Sequence, residues 1–412
     1  MITKLYIENF RSIEKAEVDL GKITVLTGAN NSGKSSVIYA LLALRNAVLN
    51  SNQSIDNILT FSFVNLGGFD ETVFQKRIFT SIKIGFETAT ENNLVFYQLS
   101  LGRISSSFEI QLPHFSESLT NKLKLDIAFP YAANKNQMER IRFEDLKGNN
   151  RSVDITWNGI SLIENSFENV IEDKERWSKE SQRLENMFNA PLKALSNFDI
   201  IPIARGFTKP IFNHVPLKDN KVTTEEELAT SLSLNPDLEA AVSFYLEKII
   251  DRYFRIYNTP NTSIFYLRTR DKNTGFDANL VNEGLGTNQL VTILAKVLQK
   301  DNKFICIDEP EIHLHPSVIS KLVGVLVEIA EKEGKQFLIS THSEHFITAL
   351  LKHTHQKDIS HEDVKVYYLK KEGQKTVFEH QAINEKGQIE GGLVHFYETE
   401  LEDLSSLFKL TD

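Results

Sequence analysis

Gly28-Ala29-Asn30-Asn31-Ser32-Gly33-Lys34-Ser35 is the stretch that decides the fold of this chain, because it fits the pattern G-x-x-x-x-G-K-[ST] in a matching context. The apolar run before it, 22–27, predicts a buried strand, and the apolar spacing after it, 36–49, predicts a helix. A strand, a glycine-rich loop and a helix in this order form a P-loop, whose backbone N–H groups and helix N-terminus bind phosphate. The sequence therefore predicts a P-loop NTPase with a site for a nucleoside triphosphate.

The residue types within this loop have expected tasks. Gly28 lets the backbone wrap closely around an anion. Lys34 is expected to reach the β- and γ-phosphates, and the hydroxyl of Ser35 to coordinate Mg²⁺. The other residues predicted to bind phosphate are Asn30, Asn31, Ser32, Gly33 and Ser36.

The composition is that of a globular protein with a sizeable core. The hydrophobic share is 41% and the charged share 25%, and no apolar run approaches the length of about 18 residues that would predict a membrane span. The chain opens on a strand-like stretch, not a signal peptide. Its single cysteine, Cys306, excludes an internal disulfide and favours a reducing cytoplasm. A net charge of −9 argues against coating nucleic acid by bulk charge, but a local basic groove stays open.

Two further apolar runs end in polar residues of catalytic type. The run 304–309 ends in the acids Asp308 and Glu309. The run 336–340 is followed by His342. Because the carboxyl ends of parallel strands meet at one edge of a sheet, we expect these side chains to converge with the P-loop. Asp308 is expected to hold Mg²⁺, Glu309 to orient and deprotonate the attacking water, and His342 to contact the γ-phosphate. A zinc centre is an alternative with only loose spacings in its favour, from His313, His315, His342 and His345.

Four ordered motifs carry a family resemblance. They are NFRS at 9–12, the P-loop, CIDEPEIHLHP at 306–316 and ISTHSEHF at 339–346. Together they resemble the ABC-type ATPase heads of the OLD (overcoming lysogenisation defect), RecF and SMC superfamily, and DEPE-x-x-LHP is typical of OLD-like heads. The resemblance implies an α/β fold with a mixed sheet core, an N-terminal β-subdomain and an inserted β-rich and helical region. It also implies that ATP and Mg²⁺ bind and that Arg11 lies near the nucleotide phosphates.

The chain departs from that superfamily at the signature motif, where the heads carry Ser-x-Gly and contact the nucleotide bound by a partner head. The matching stretch reads Gly-Leu-Gly-Thr, so Gly284 stands at the serine position and Gly286 at the glycine position. Donation from the backbone survives this change, but the hydroxyl contact of the serine is lost unless Thr287 or Asn288 replaces it. The glutamine that senses Mg²⁺ in transporter-type ATPases has a candidate in Gln75.

Four regions are predicted along the chain. They are an ATPase core split between 1–49 and 260–360, an inserted β-rich and helical region at 50–200, a helical subdomain at 201–259, and a C-terminal hairpin and helix at 361–412. Within the insertion, alternating apolar residues predict strands over 82–86, 94–101, 108–112, 123–127, 141–143 and 153–157. Helices are predicted over 166–195 and 222–257, and from Leu393 onwards.

The expected function is ATP hydrolysis by a homodimer or larger homo-oligomer that sandwiches ATP and Mg²⁺ between two heads. The stretch after His342 is too short for the Toprim nuclease domain of OLD nucleases and lacks Asp-x-Asp. A separate effector protein, nuclease or toxin-like, is therefore expected, as in bacterial antiphage defence. DNA is a second candidate partner, and no membrane is expected. Two alternatives stay open, a nucleotide-gated scaffold with little hydrolysis and a RecF-like DNA-repair ATPase.

Overall fold

The structure is a computed structural model, and it describes residues 1–50, 54–90, 93–112, 123–129, 137–144, 150–168, 174–217, 224–390 and 392. The chain forms two compact units. The first comprises residues 1–20, 35–197 and 371–377, and the second comprises residues 21–34, 198–370 and the chain from 378 onwards.

Both units mix helices and strands. The strands are β1 (Ile2–Phe10), β2 (Ile13–Asp19), β3 (Ile23–Thr27), β4 (Ile82–Ala89), β5 (Leu94–Leu101), β6 (Ser106–Leu112), β7 (Leu123–Phe129), β8 (Gln137–Glu144), β9 (Asn150–Trp157), β10 (Leu162–Glu168), β11 (Phe198–Ile201), β12 (Phe212–Asn213), β13 (Arg252–Asn258), β14 (Ile264–Asp271), β15 (Asp277–Asn279), β16 (Phe304–Asp308), β17 (Gln336–Ser340), β18 (Val364–Glu372) and β19 (Lys375–Gln381). The α-helices are α1 (Lys34–Leu49), α2 (Ile55–Ile58), α3 (Phe69–Thr72), α4 (Lys174–Ser196), α5 (Glu225–Leu234), α6 (Pro236–Ile250), α7 (Leu285–Val297), α8 (Pro316–Glu333) and α9 (Glu344–His355). Short 3₁₀ helices lie at Phe74–Lys76, Leu280–Asn282 and His361–Asp363.

One sheet has the strand order β11-β16-β17-β3-β18-β19, and its strands β11, β16, β17 and β3 lie in the second unit. Strands β11, β16, β17, β3 and β18 pair in parallel. Every residue of β3, β16 and β17 is buried, as expected for apolar parallel strands covered on both faces. Buried side chains of α7, α8 and α9 complete the hydrophobic core around these strands. The carboxyl ends of β3, β16 and β17 therefore meet at one edge.

The region predicted to be one long helix contains two helices and a strand. Thr224 caps α5 through a reciprocal capping box with Glu227. Asn235 caps α6, and Pro236 occupies its first turn, so a new helix starts there. Asp251 adopts a left-handed conformation that ends α6, and β13 then pairs with β14. The prediction of one helix is wrong because residues 252–258 pair with β14 as a strand, although their apolar residues continue the helical spacing.

The first unit is dominated by antiparallel strands. One sheet has the order β2-β1-β4-β5-β6-β7, and a second has the order β10-β9-β8. Burial alternates along β5 and β6, as expected for strands with one face on a core. The helix predicted over 166–195 begins later, at Lys174, because residues 162–168 pair with β9 as strand β10.

The remaining element predictions have clear outcomes. The six strands predicted in the insertion are observed as β4 to β9, and the C-terminal hairpin is observed as β18 and β19. The helix predicted from Leu393 lies outside the described residues. The four predicted regional boundaries remain a prediction. Across the part of the chain that the structure describes, no helix has the length and apolar character needed to cross a membrane.

A buried ionic network fastens α7 to β11. The Nζ of Lys296 donates to Asp199 Oδ1 at 3.3 Å and to Ile200 O at 2.8 Å. The Nδ2 of Asn302 donates to Asp199 Oδ2 at 3.2 Å. The side chain of Asp199 is only 1% exposed, so it depends on these donors for its charge to be tolerated.

We predict that Lys296→Met lowers the free energy of unfolding by about 3–5 kcal/mol, because it leaves the Asp199 carboxylate buried without a cation. The matched control, Lys300→Met at an exposed position, should change it by less than about 0.5 kcal/mol. Urea unfolding measures both. The double variant with Asp199→Leu should recover much of the loss; a double variant as unstable as Lys296→Met alone would contradict this account.

Candidate functional site

The site lies at the carboxyl edge of the parallel sheet. Asp308 at the end of β16 is in register with Ser340 at the end of β17. Ser340 is in register with Leu26 of β3, two residues before Gly28 of the P-loop. The N–H of Thr341 donates to Leu26 O at 3.0 Å, which extends the alignment by one residue. The P-loop and both catalytic-type motifs therefore start from the same edge, as the sequence predicted.

The P-loop is held tightly at its glycines and its lysine. Gly28 has a φ of 135°, and a Cβ there would lie 2.1 Å from the carbonyl O of Leu369, so only glycine fits. The Nζ of Lys34 donates to Gly28 O at 2.8 Å and Ala29 O at 3.1 Å. Lys34 as a whole is 6% exposed, and these two hydrogen bonds hold its ammonium group inside the loop.

The other predicted phosphate-binding residues of the loop differ in exposure. Asn30 and Asn31 are exposed, and Asn31 has a left-handed φ of 62°. Ser32 and Ser36 are buried, and Gly33 has a φ of 107°. Ser35 follows Lys34 in the first turn of α1.

Asp308 and Glu309 are both fixed to the neighbouring strand. The hydroxyl of Ser340 donates to Asp308 Oδ1. Glu309 has a left-handed φ of 48°, an uncommon conformation for a residue with a side chain. Its N–H donates to Ser340 O at 2.9 Å, and its side chain is 17% exposed. Because the backbone is left-handed at Glu309, the Glu309 side chain points in a different direction from the one it would have if the strand continued past Asp308.

Glu311 fixes the loop that carries His342. Its Oε1 accepts from Thr341 Oγ1 at 2.6 Å and from the N–H of His342 at 3.0 Å. The imidazole Nδ1 of His342 lies 3.5 Å from Glu311 Oε1 and 3.6 Å from Glu309 Oε1. The His342 side chain is 51% exposed, so it stands at the open side of the acids. Glu311 belongs to the DEPE motif, but the sequence alone predicted no role for it.

Arg205 is a residue of the site for which the sequence predicted no role. Its Nη1 donates to Asp308 O at 2.7 Å, and its Nη2 donates to Glu309 O at 2.7 Å. One guanidinium group therefore joins the backbone carbonyls of both acids. No signal in the sequence marks this contact, because Arg205 follows a short strand and its acceptors are backbone atoms far along the chain.

The site concentrates three carboxylates around two cations. Burial lowers the pKa of the Lys34 amine, while the carboxylates of Glu309, Asp308 and Glu311 act to raise it. Burial lowers the pKa of Arg205 to about 10, against the same three carboxylates. Arg205 therefore keeps its charge at neutral pH and offsets part of the repulsion among the acids.

The signature position lies at the start of α7. Gly284 caps this helix without a side-chain hydrogen bond, and a Cβ there would meet no atom within 4 Å. At Gly286, by contrast, a Cβ would lie 2.6 Å from the carbonyl O of His313. Asn288 is buried, and its amide bonds both the N–H and the carbonyl of Phe207, at 2.7 and 2.8 Å. Asn288 is therefore engaged within the chain, which leaves Thr287 as the hydroxyl candidate.

Arg11 and Gln75, two further predicted residues, also lie in the first unit. Arg11 has a left-handed φ of 51°, and its Cζ lies 5.4 Å from the ring centroid of Tyr39, a cation–π contact. Gln75 is exposed, and its Oε1 accepts from Arg77 Nη2 at 2.5 Å. Their predicted roles at the nucleotide and the metal remain predictions.

The donors at the sheet edge fit Mg²⁺. Mg²⁺ prefers carboxylate oxygens combined with water and phosphate, and Asp308 offers such an oxygen at the end of a rigid strand. Within the described residues, no group of three or more His, Cys, Asp or Glu side chains is arranged to hold a metal ion alone. His315 instead accepts from the N–H of Ser317 and caps α8. The histidine zinc centre therefore gains no support from the described residues.

Comparisons with known proteins agree with this geometry. A family described as AAA ATPase domain matches residues 1–347. The chain is similar to an ATP/GTP phosphatase of Helicobacter pylori, with 23% identity over 402 residues that cover 91% of this chain and 94% of that protein. It is also similar to the Old nuclease of Escherichia phage P2, with 47% identity over 51 residues that cover 12% of this chain and 8% of the nuclease.

A solved structure has the same fold. The structure of an SMC head bound to the C-winged helix domain of ScpA aligns with a TM-score of 0.51 at 13% identity, covering 92% of this chain and 98% of that one. Likeness at this identity concerns the fold alone. The predicted α/β fold of an ABC-type head is confirmed.

We predict that Arg205→Ala lowers ATP hydrolysis at least tenfold and the free energy of unfolding by about 1–3 kcal/mol, because two buried carbonyls lose their donor. Arg205→Lys keeps the charge but cannot bridge both carbonyls. Compared with Arg205→Ala, it should therefore recover more of the free energy of unfolding than of the rate of ATP hydrolysis. Thermal unfolding and phosphate release measure the two effects. If both variants hydrolyse ATP like the parent chain, Arg205 does not position the acids.

Proposed function

This chain belongs to the AAA ATPase domain family, and from that premise we propose that two copies hydrolyse ATP at shared sites and thereby control a separate effector protein. The predicted ABC-type ATPase of the OLD and SMC superfamily and the predicted ATPase activity are confirmed by that match, together with the curated relatives and the SMC head fold. The residue roles, the dimer and the effector go beyond the family.

One observation carries the proposed chemistry. Asp308 at the end of β16 is in register with Ser340, and Ser340 is in register with Leu26 of β3. The Lys34 amine is held on the carbonyls of Gly28 and Ala29 in the loop that follows β3. A cation that can bind phosphate, an acid that can hold a metal and an acid that can take a proton therefore stand at one sheet edge. Phosphoryl transfer needs little covalent chemistry from the protein, so this positioning supports hydrolysis directly.

In the proposed reaction, Lys34 binds the β- and γ-phosphates and Asp308 would hold Mg²⁺, with Ser35 as the predicted second protein ligand. The metal, when bound, neutralises charge that develops on the phosphates. Water forms a new O–P bond to the γ-phosphorus while the bridging bond to the β-phosphate breaks. Glu309 accepts the proton of that water, and ADP and phosphate leave. His342 would contact the γ-phosphate.

The proposed dimer rests on the start of α7. Gly284 is exposed with open space around it, and the neighbouring Leu285 is 62% exposed, an unusual position for a large apolar side chain. These features suit a surface that a second copy covers in a head-to-tail arrangement. The α7 N-terminus of one copy, with Gly284 and Gly286, would then donate N–H groups to the γ-phosphate bound by the other.

The effector and the cellular role are proposed from sequence similarity to OLD-like proteins. The chain resembles OLD-like heads along its ATPase motifs, and 51 residues match the phage P2 Old nuclease at 47% identity. The proposal is that the protein acts in the cytoplasm, in antiphage defence, with a nuclease or toxin-like effector as its partner. A nucleotide-gated scaffold with slow turnover is the second candidate, favoured by the glycine at position 284 and the engaged amide of Asn288.

We predict that Glu309→Gln lowers ATP hydrolysis by about 10²- to 10⁴-fold without loss of ATP binding, because the carboxamide cannot accept a proton. Lys34→Ala should instead abolish ATP binding. Phosphate release and binding of a fluorescent ATP analogue separate the two. The exposed Glu385→Gln variant is the matched control and should behave like the parent chain. Equal turnover of the parent chain and Glu309→Gln would favour the scaffold over the hydrolase.

We predict that Gly284→Ser raises the fraction of dimer formed with ATP, because the open space accepts a hydroxyl that can both cap α7 and reach the partner's nucleotide. Gly286→Ala should lower that fraction, because its Cβ would lie 2.6 Å from the His313 carbonyl O. Light scattering with ATP in a Glu309→Gln background measures the mass. If Glu309→Gln alone and its combinations with Gly284→Ser and Gly286→Ala all stay monomeric at saturating ATP, the proposed dimer is refuted.

A further inference from the structure

The outer face of the β13–β14 hairpin carries only arginine and tyrosine side chains along its central pairs. The cross-strand pairs are Tyr253 with Arg270, Arg255 with Arg268, and Tyr257 with Tyr266. Because side chains alternate along a strand and paired residues share a side, these six lie on one face. We refer to these six residues as the Tyr–Arg face.

The Tyr–Arg face points to solvent. The residues between its members, including Phe254, Leu267 and Thr269, are buried and face the core of the second unit. Tyr257 is 48% exposed, Arg255 and Arg270 are exposed as well, and Tyr253, Tyr266 and Arg268 are half-buried. The face is therefore accessible in the single chain.

Part of the Tyr–Arg face is preorganised, and part is open. Arg268 Nε donates to Asp277 Oδ1 at 2.6 Å, and the hydroxyl of Tyr257 donates to Asp277 Oδ2 at 3.3 Å. The Arg268 Cζ also lies 5.7 Å from the Tyr257 ring centroid, so the ring is held in place. Among the described residues, Arg255 and Arg270 take part in no ion pair. Two cations and one fixed aromatic ring are thus presented together on a chain whose net charge is −9.

We propose that the Tyr–Arg face binds single-stranded nucleic acid. Arg255 and Arg270 would contact phosphates, and unpaired bases would stack on Tyr257 and Tyr266. A duplex keeps its bases stacked inside and would use only the cations. An acidic protein segment would likewise leave the tyrosine rings unused. This proposal is independent of ATP hydrolysis, since it uses none of the residues at the sheet edge.

Fluorescence anisotropy of the full chain with a labelled oligothymidylate of about 20 nucleotides tests the charge contribution. The double variant Arg255→Gln with Arg270→Gln should weaken binding and reduce the salt-dependence slope by about 1.4, because two phosphate contacts are lost. The matched control, Lys300→Gln with Lys352→Gln, makes the same charge change at two exposed lysines and should bind like the parent chain. If both double variants lose the same affinity for the oligonucleotide, the loss comes from net charge alone, and the proposal is overturned.

Tyr266 tests the stacking contribution, because its side chain does not take part in the Asp277 network. Tyr266→Ala should weaken oligonucleotide binding about fivefold or more, while Tyr266→Phe, which keeps the ring, should stay within about twofold. Thermal unfolding and ATP hydrolysis without nucleic acid should match the parent chain in both variants. The proposal is overturned if the parent chain does not bind the oligonucleotide, if Tyr266→Ala binds normally, or if a duplex or polyglutamate competes as well as the single strand.

Discussion

The repulsion among three carboxylates at the end of one buried strand is the constraint around which the second unit is arranged. Asp308, Glu309 and Glu311 follow each other within four residues, and like charges this close repel each other unless cations or donors offset them. Lys34 and Arg205 supply the cations, and the end of β17 and the loop after it supply hydroxyl and N–H donors. The site is therefore stable as a charged cluster only when all these segments are folded together.

The charged residues of the site come together only because of the order of the strands in the sheet. The P-loop, the loop after β11 and the end of β16 are distant along the chain, and parallel pairing with β3 and β17 brings them to one edge. A bound triphosphate would add negative charge to this edge, so Lys34 and a metal ion must offset more charge than they do in the free chain. Binding of nucleotide and metal should accordingly be mutually dependent.

The sequence predicted those parts of the fold whose cause is local. Apolar runs ended by polar residues identified β16 and β17, and the glycine-lysine pattern identified the P-loop. Arg205 was missed because its acceptors are backbone carbonyls, which leave no trace in side-chain spacing. The helix over 222–257 was wrong because apolar residues at helical spacing hid the alternation of β13. Asn235 followed by Pro236 is the signal of a new helix start that could have divided it.

The most direct test of the central claim is a crystal structure of the Glu309→Gln variant with ATP and Mg²⁺. We expect the Lys34 amine to leave the carbonyls of Gly28 and Ala29 for the β- and γ-phosphates. We also expect Asp308 to lie in the metal's coordination sphere and the carboxamide introduced at position 309 to face the γ-phosphate across one water. A nucleotide bound elsewhere, with the Lys34 amine still on those two carbonyls and position 309 far from the γ-phosphate, would contradict it.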